Sequence, residues 1–418
     1  MIEGMSSSKL HEYLSDFIPV KDSSQNIEKT LKTEYFEVKG FKIPRIINAF
    51  WTSKQRQNNP IHEISYRACF KAELPRFFIN LFTKESDVVY DPFAGRGTTI
   101  IEAALLNRKV ISNDINPLST ILCRPRLFIP SYEQVTERLE EIKFRKGLKA
   151  DIDLTMFYHP DTESEIVSLR NYLIKRNRNK EEDFVDNWIR MVATNRLTGH
   201  STNFFSVYTL PPNQAVTQIR QKKINLLREQ SPSYKDVKKI ILKKTRDLTK
   251  GIDKIQIERL KKIGARSQFI NNDARATRDI KKNSVNLTVT SPPFLDIVNY
   301  IEDNWLRCWF NNIMAEDVSK KLTITKKLNE WETVMSDVFI ELYRITKKGG
   351  HIAFEVGEVR KGKVKLDEHV VPLGVNAGFE CLGVIINLQK FTKTANIWGI
   401  SNNSVGTNTN RIVLFRKS

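Results

Sequence analysis

The 418-residue chain has no apolar run approaching roughly 18 residues, so no segment is long and hydrophobic enough to be read as a membrane-spanning helix. The N-terminal MIEGMSSSKLHEYL also lacks the apolar core of a secretion signal, and a cytoplasmic location without membrane association is the expectation. Cysteine is scarce. Cys69, Cys123, Cys308 and Cys381 are scattered, form no C-x-x-C pair and do not cluster with the six histidines. That argues against a disulfide framework and leaves no zinc-ligand spacing, so no metal site is expected. Acidic charge is short as well: 48 Asp and Glu stand against 67 Lys and Arg, a net charge of +19. Such an excess points to a polyanionic partner, nucleic acid first, although a well-solvated basic surface is the plainer alternative.

What the chain does contain is concentrated in two places. In SDVVYDPFAGRGTTIIEAALLNRKVISNDINPLS, Val88, Val89 and Tyr90 read as a short buried strand and Asp91 to Thr99 as a turn. Ile100 to Leu106 then reads as a helix with Ile101, Ala104 and Leu105 on its apolar stripe. Gly95 and Gly97 let the backbone come close to a ligand, and Thr98 or Thr99 is placed to cap the helix. Lys109 to Ile115 reads as a second strand. Asp114 lies at its carboxyl end, about 20 residues after the glycines, where a carboxylate can accept both hydroxyls of a ribose. A turn before Asn116-Pro117 would also employ an aspartate.

This pattern departs from that of a phosphate binder. There is no G-x-x-x-x-G-K-[ST] loop and no third glycine, and Asp91 would repel a diphosphate. A carboxylate at that point suits a cation instead, such as the ammonium of an amino acid. A ligand with a nucleoside at one end and an amino acid at the other fits both ends, and S-adenosylmethionine is such a ligand.

The second place is VTSPPFLDIVNY. Val285, Leu287 and Val289 belong to a run suited to a sheet interior, but Pro292 and Pro293 have no amide hydrogens and cannot extend the ladder. Alone, the dipeptide is a strand cap and a turn. Together, DPFAGRGTT, NDINP and TSPPF resemble the amino-group-specific DNA methyltransferases, whose signatures are D-P-F-x-G-x-G-T-T and [DNS]-P-P-[YFW]. HEISYRACFKAELPRFFINLFT is similar to the segment that, in that family, precedes the glycine turn and closes over the methionine end of the cofactor.

The resemblance implies an α/β, Rossmann-like, seven-stranded S-adenosylmethionine-dependent methyltransferase fold with a mainly helical insertion. It implies S-adenosylmethionine as cofactor, with Asp91, Phe93, Gly95, Gly97 and Thr98 at its methionine side, Asp114 at the ribose and Asp273 of QFINNDARAT near the adenine. Each of the three carboxylates could also be an ordinary loop residue. The implied catalytic group is Ser291, Pro292, Pro293 and Phe294, the implied partner is duplex DNA with its target base flipped, and a cognate restriction endonuclease is a candidate partner.

The chemistry follows from the target. An exocyclic amine is a poor nucleophile because its lone pair is delocalised into the ring, so acceptors must hold its hydrogens while the lone pair faces the methyl donor. The Ser291 hydroxyl and Pro292 carbonyl suit that task, and Phe294 can stack on an extruded base. Methylation of a cytosine carbon needs a thiolate, usually in a Pro-Cys pair, and none occurs in the chain; Cys308 in LRCWF reads as core. Serine at the first motif position resembles the cytosine-N4 enzymes, whereas Asp or Asn is the common adenine-N6 choice. Adenine N6, an RNA amine, and a nucleic-acid binding protein on a degenerate methyltransferase scaffold stand as alternatives.

The remaining elements follow the family's order. NSVNLTVTSPPF reads as a fourth strand, then WETVMSDVFIELYRITKKGG as a helix with Val334, Val338, Ile340 and Leu342 among its apolar positions. GGHIAFEVG reads as a fifth strand, and GFECLGVIINLQ with NRIVLFRK as an antiparallel hairpin closing the sheet edge. The chain divides into residues 1–124, the first part of the methyltransferase domain with the cofactor pocket, an inserted basic region 125–266, and residues 267–418 with the catalytic motif. In the insertion, a helix over Asp161 to Ile174 has a capping start, and Phe184 to Leu197 reads as another. GHSTNFFSVYTLPPNQ is a loop dense in aromatic and polar residues, and Lys235 to Lys262, with net charge +7, reads as a helix with one buried face. Aromatics beside basic residues suit an unstacked base and its phosphates, so the insertion is the candidate for target recognition; an aromatic-cored helical lobe is the alternative. Tyr300 and Trp305 are candidates for base contacts, again with core as the alternative.

Overall fold

The apolar runs around Val88 and Val285 resolve into strands of one central sheet in a computed structural model, which describes residues 7–17, 32–48, 50–51, 59–66, 69–210, 215–293, 300–321, 325, 327–359, 363–387 and 410–418. The strands are β1 (Lys32–Val38), β2 (Phe41–Asn48), β3 (Val88–Asp91), β4 (Lys109–Asn113), β5 (Gln268–Ile270), β6 (Val285–Thr290), β7 (Thr346–Val356), a small pair β8 (Glu358–Val359) and β9 (Val364–Lys365), β10 (Glu380–Asn387) and β11 (Asn410–Arg416). The order across the sheet is β1-β2-β10-β11-β7-β6-β3-β4-β5, with β7, β6, β3, β4 and β5 parallel and β11 antiparallel to both its neighbours. The strand order is that of a Rossmann-like methyltransferase fold, with the turn of topology between β3 and β6, where open α/β sheets place their ligands.

The described helices are α1 (Ser7–Ser15), α2 (Glu73–Phe82), α3 (Thr98–Leu105), α4 (Leu118–Cys123), α5 (Tyr132–Glu141), α6 (Pro160–Arg178), α7 (Phe184–Arg196), α8 (Gln218–Leu227), α9 (Val237–Thr249), α10 (Lys254–Gly264), α11 (Tyr300–Phe310), α12 (Ala315–Lys321), α13 (Leu328–Ile345) and α14 (Leu366–Asn376). None is long and apolar enough to cross a membrane. Alternation along the parallel strands builds two cores. Val89, Leu287, Val289 and Ala353 pack with α2 and α3 on one face, while Tyr90, Ile352 and Phe354 pack with α13 and α14 on the other. Burial on both faces is why these strands read as nearly continuous apolar runs.

Several expectations need correcting. The sheet has nine strands instead of seven, because β2 adds in parallel to β10 and β1 closes the edge against β2, so the final hairpin is internal. The β1–β2 turn is Lys39-Gly40, both at positive φ (47° and 83°), a hairpin geometry that sets the register. The basic stretch 235–262 is two helices, broken where Gly251 takes φ +75° before the Asp253 cap of α10. Its buried face on α9 holds Val237, Ile241 and Leu248, as the spacing predicts. The N-cap of α6 is His159, so Asp161 lies inside the first turn. Ile340 on α13 faces solvent at 59% exposure, and Trp331, Met335, Val338, Phe339 and Leu342 form the buried stripe.

The added strand is tied in by a buried ion network. Arg45 on β2 donates to Asp367 on α14 through Nη2 at 2.8 Å and Nε at 3.1 Å, and Arg411 on β11 reaches the same carboxylate at 3.3 Å. Asp367 is fully buried, so removing it leaves two guanidinium groups with Glu368 and Glu358 as their remaining carboxylate partners. Asp367→Ala should cost about 3–5 kcal/mol, read as a lower urea midpoint with unchanged slope. A loss below about 1 kcal/mol would show that the network does not hold the strand.

Candidate functional site

The carboxyl ends of β3, β4, β5, β6 and β7 bring Asp91, Asp114, Asp273, Ser291 and Glu355 to one edge of the sheet. Asp91 ends β3 and is buried. Its Oδ1 accepts the Thr290 hydroxyl at 2.6 Å and the Phe93 amide at 3.1 Å, while its Oδ2 has no partner. Thr290 ends β6 immediately before Ser291, so one hydrogen bond joins the glycine turn to the Pro-Pro corner. Burial pushes the Asp91 carboxyl up to about 7, against the pull of the Thr290 hydroxyl, the Phe93 amide and the nearby Thr99 hydroxyl. A buried carboxylate oxygen without a donor is costly unless a cation or hydrogen-bond donor meets it. The position therefore fits the ammonium expected from the sequence.

The glycine turn is shaped from beneath. Gly97 has φ +79°, and a Cβ there would sit 2.2 Å from the Cys123 sulfur, so only glycine fits. Gly97 itself is the N-cap residue of α3. Thr98 and Thr99 lie inside the helix and neither caps it: Thr98 accepts from Arg96 Nε, and Thr99 donates to the Val289 carbonyl at 3.0 Å. The buried Arg126 guanidinium donates to the carbonyls of Arg96, Ile61 and Leu122, which fixes the turn from below. From above, Tyr66 covers Gly95 and its hydroxyl accepts from Asn116, while Arg96 donates to the carbonyls of His62 and Ile64. The HEISY segment thus crosses the turn.

Asp114 follows β4 directly. Its two oxygens accept the amides of Gly95 at 2.8 Å and Asn116 at 2.9 Å, so it braces the turn and keeps its remaining lone pairs for a ligand hydroxyl. Burial pushes it up to about 6. Asp273, beyond β5, is engaged by Arg275, whose Nη2 donates at 2.6 Å and whose amide donates at 2.9 Å. That pairing holds its carboxyl below the usual range. Phe93 is half-buried against the second core.

At the Pro-Pro corner, Ser291 is half-buried, Pro292 buried and Pro293 exposed. The Pro293 carbonyl accepts Trp331 Nε1 at 3.0 Å, which pins the corner to α13. Phe294, Asp296 and Asn299 lie outside the described residues, as does the polar stretch 391–409. Behind the Ser291 hydroxyl is Glu355 of β7, whose carboxyl is raised by burial and lowered by hydrogen bonds from Ser291 and Asn410. Glu355 is a functional candidate that the sequence reading missed; its signal is one acidic residue inside the apolar run HIAFEV. Asn113 was also missed. Its amide donates to the carbonyls of Pro92 and Asn272 and its oxygen accepts the Asn272 amide, so it stitches together the loops after β3, β4 and β5.

The Tyr300 side chain lies outside the described residues, while Trp305, Phe204 and Phe205 have structural places. Trp305 packs on Phe157 at 5.9 Å and donates to the Val216 carbonyl, and Cys308 is buried. Phe204 and Phe205 are buried, with Arg196 stacked on the Phe204 ring at 3.9 Å. Among the described residues, no cluster of His, Cys, Asp or Glu could hold a metal ion.

Residues 6–119 match the N6/N4 methyltransferase family, described as DNA methylase. That span takes in the glycine turn and Asp114 and ends before Ser291. The chain is 23% identical over 272 residues to the Type II methyltransferase M.BsoBI of Geobacillus stearothermophilus, covering 58% of this chain and 51% of that protein. It is 31% identical over 144 residues to the orphan methyltransferase M.BamHII of Bacillus amyloliquefaciens, covering 34% and 49%. The chain thus spans about half the length of these two relatives. A solved SAM-dependent methyltransferase from Methanosarcina mazei is 10% identical, with a TM-score of 0.31 over 81% of this chain and 96% of that one.

The unpartnered oxygen of Asp91 has a measurable consequence without ligand. With a folded value of about 7 against 3.8 for the free side chain, ionising Asp91 destabilises the fold, and the penalty shrinks as pH falls from 7 toward 4. Asp91→Asn should be more stable than wild type near pH 8. Its advantage should fall by about 2.6 kcal/mol by about pH 5, measured by denaturant unfolding at each pH. A stability difference independent of pH would contradict the raised value.

Proposed function

We propose that this chain is a DNA methyltransferase that uses S-adenosylmethionine and methylates the exocyclic N4 amine of cytosine in duplex DNA, with the target base turned out of the helix. The observation that carries the reading is the adjacency of two half-satisfied groups. Asp91 keeps a buried oxygen open at the end of β3, and Ser291, one residue beyond its hydrogen-bond partner Thr290, opens the Pro-Pro corner at the end of β6. The family match over residues 6–119 supports the amine-methylating class, and serine at position 291 favours N4 over N6.

In this reading Asp91 takes the ammonium of the cofactor and Asp114 its ribose hydroxyls. Gly95 and Gly97 give the backbone close approach, Phe93 and Thr98 flank the methionine side, and Asp273 lies toward the adenine. When bound, S-adenosylmethionine would supply an electrophilic methyl on a sulfonium whose sulfur keeps the bonding pair and leaves as a neutral thioether. Ser291 donates its own hydrogen to Glu355, which turns a hydroxyl lone pair outward to accept one hydrogen of the target amine. The Pro292 carbonyl accepts the second. Both acceptors draw the nitrogen lone pair out of ring conjugation, and the proton shed as the C–N bond forms passes by way of Ser291 to Glu355. Burial raises the Glu355 carboxyl and makes its anion a better proton acceptor. Phe294 stacks on the base. Residues 125–266 serve as the target-recognition region between the two parts of the catalytic domain, 1–124 and 267–418, and a restriction endonuclease of the same sequence specificity is the partner enzyme.

The test is transfer of labelled methyl to duplex DNA followed by nucleoside mass spectrometry, with N4-methylcytosine as the expected product. N6-methyladenine, or label found only in RNA, would overturn the assignment. Ser291→Ala should lower the transfer rate on the order of 10²-fold with S-adenosylmethionine affinity unchanged, and Glu355→Gln should lower the rate in the same direction. Loss of cofactor binding in Ser291→Ala would refute the role given to the hydroxyl.

A further inference from the structure

Away from the glycine turn, a groove of about 460 Å³ runs along the outer face of α6, lined by Arg170, Asn171, Lys175, Arg178, Asn179 and, from the turn after α11, Asn312. Three cations and three amides line it, and no carboxylate does. The nearby acids sit at its margins with partners of their own: Asp151 accepts from Trp309 Nε1, and Glu181 accepts from the groove residue Asn179 and pairs with Arg176. Lys175 and Arg178 also complement the carboxyl end of α6, but that preference accounts neither for Arg170, two turns earlier, nor for the amides facing them.

The groove is fixed to α11, the helix that follows the catalytic motif in the chain. Arg170 donates through Nε to the Trp309 carbonyl at 2.9 Å and stacks its guanidinium on the Trp309 ring at 4.9 Å, which locks α6 to the last turn of α11. The 11 residues of α11 begin soon after the Pro-Pro corner. A helix of that length spans about 16 Å, the rise of about five stacked nucleotides along one strand. Guanidinium, ammonium and amide donors without an acid among them match phosphate oxygens, and Ile174 is the one apolar side chain between them.

We propose that this groove binds the phosphodiester backbone of duplex DNA flanking the target base, a positioning contact that carries no sequence information; it rests on the DNA methyltransferase reading above. The test uses a fluorescent mixed-sequence duplex of about 30 base pairs, with affinity measured from about 50 to 200 mM KCl. Lys175 and Arg178 are exposed, so Lys175→Gln with Arg178→Gln leaves the core intact. That double variant should bind about tenfold more weakly near 100 mM salt, with the log–log salt slope reduced by about 1.8, and should keep wild-type affinity for S-adenosylmethionine. Lys281→Gln with Lys282→Gln makes the same charge change on exposed residues at the opposite end of β6, and should alter affinity by less than about threefold. An unchanged slope in the groove variant, or equal losses in both variants, would overturn the proposal. Stronger competition by single-stranded RNA than by duplex DNA would also overturn it, because the groove's partner would then be RNA. Wild-type protein that binds S-adenosylmethionine but not duplex DNA would instead refute the DNA reading on which the groove depends.

Discussion

One hydrogen bond, from the Thr290 hydroxyl to Asp91 at 2.6 Å, sets the geometry on which everything else here depends. It closes the gap between β3 and β6, the two strands that flank the point where the sheet's topology reverses. Because it occupies only one oxygen of Asp91, it fixes the carboxylate in place and leaves the other oxygen unpaired in a buried setting. The same strand end that supplies the hydroxyl then breaks at Pro292, so the acceptor corner starts one residue away. A cation site and an amine-holding corner are thereby registered against each other by a contact between neighbouring strands, without relying on loop placement.

The surroundings stiffen that arrangement. Arg126 grips the glycine turn from below, Asn113 ties three loops together, and Tyr66 with Arg96 holds the crossing segment above it. Helices beyond β4 reach the same segment. Asn195 of α7 and Arg307 of α11 both donate to the Ser65 carbonyl, and Lys244 of α9 pairs with Glu63 at 3.4 Å. Burial lowers Lys244 to about 8, so this link is weakest in alkaline solution. Contacts made by α7, α9 and α11 are therefore mechanically continuous with the cover over Gly95.

Local sequence carried much of this. The glycine turn, the Asp114 brace and the Pro-Pro break were legible because each rests on a residue property that acts within a few positions: positive φ, a carboxylate at a strand end, a missing amide hydrogen. The parallel strands were legible because burial on both faces writes an apolar run. What failed to show was anything decided across the sheet. Residues 32–48 scatter charge through Lys32, Glu34, Glu37, Lys42 and Arg45 and give no sign that β2 will pair with a strand more than 300 residues away. Thr290 looks like an unremarkable strand residue, and the lone acid of HIAFEV has no visible purpose, until β6 and β7 are aligned. Thr98 and Thr99 resembled helix caps, yet Gly97 in the left-handed region already begins the helix, which frees Thr99 to bond across to β6.

The central claim is that the open oxygen of Asp91 meets the ammonium of the cofactor, and proton counting tests it directly. Calorimetric titration of the protein with S-adenosylmethionine near pH 6.5, in buffers of different ionisation enthalpy, gives the number of protons exchanged on binding. With the Asp91 carboxyl at about 7 in the free protein, a cation arriving beside it should expel up to about 0.8 protons per molecule bound, and Asp91→Asn should abolish most of that release. Binding with no proton release, or with the same release in Asp91→Asn, would contradict the account.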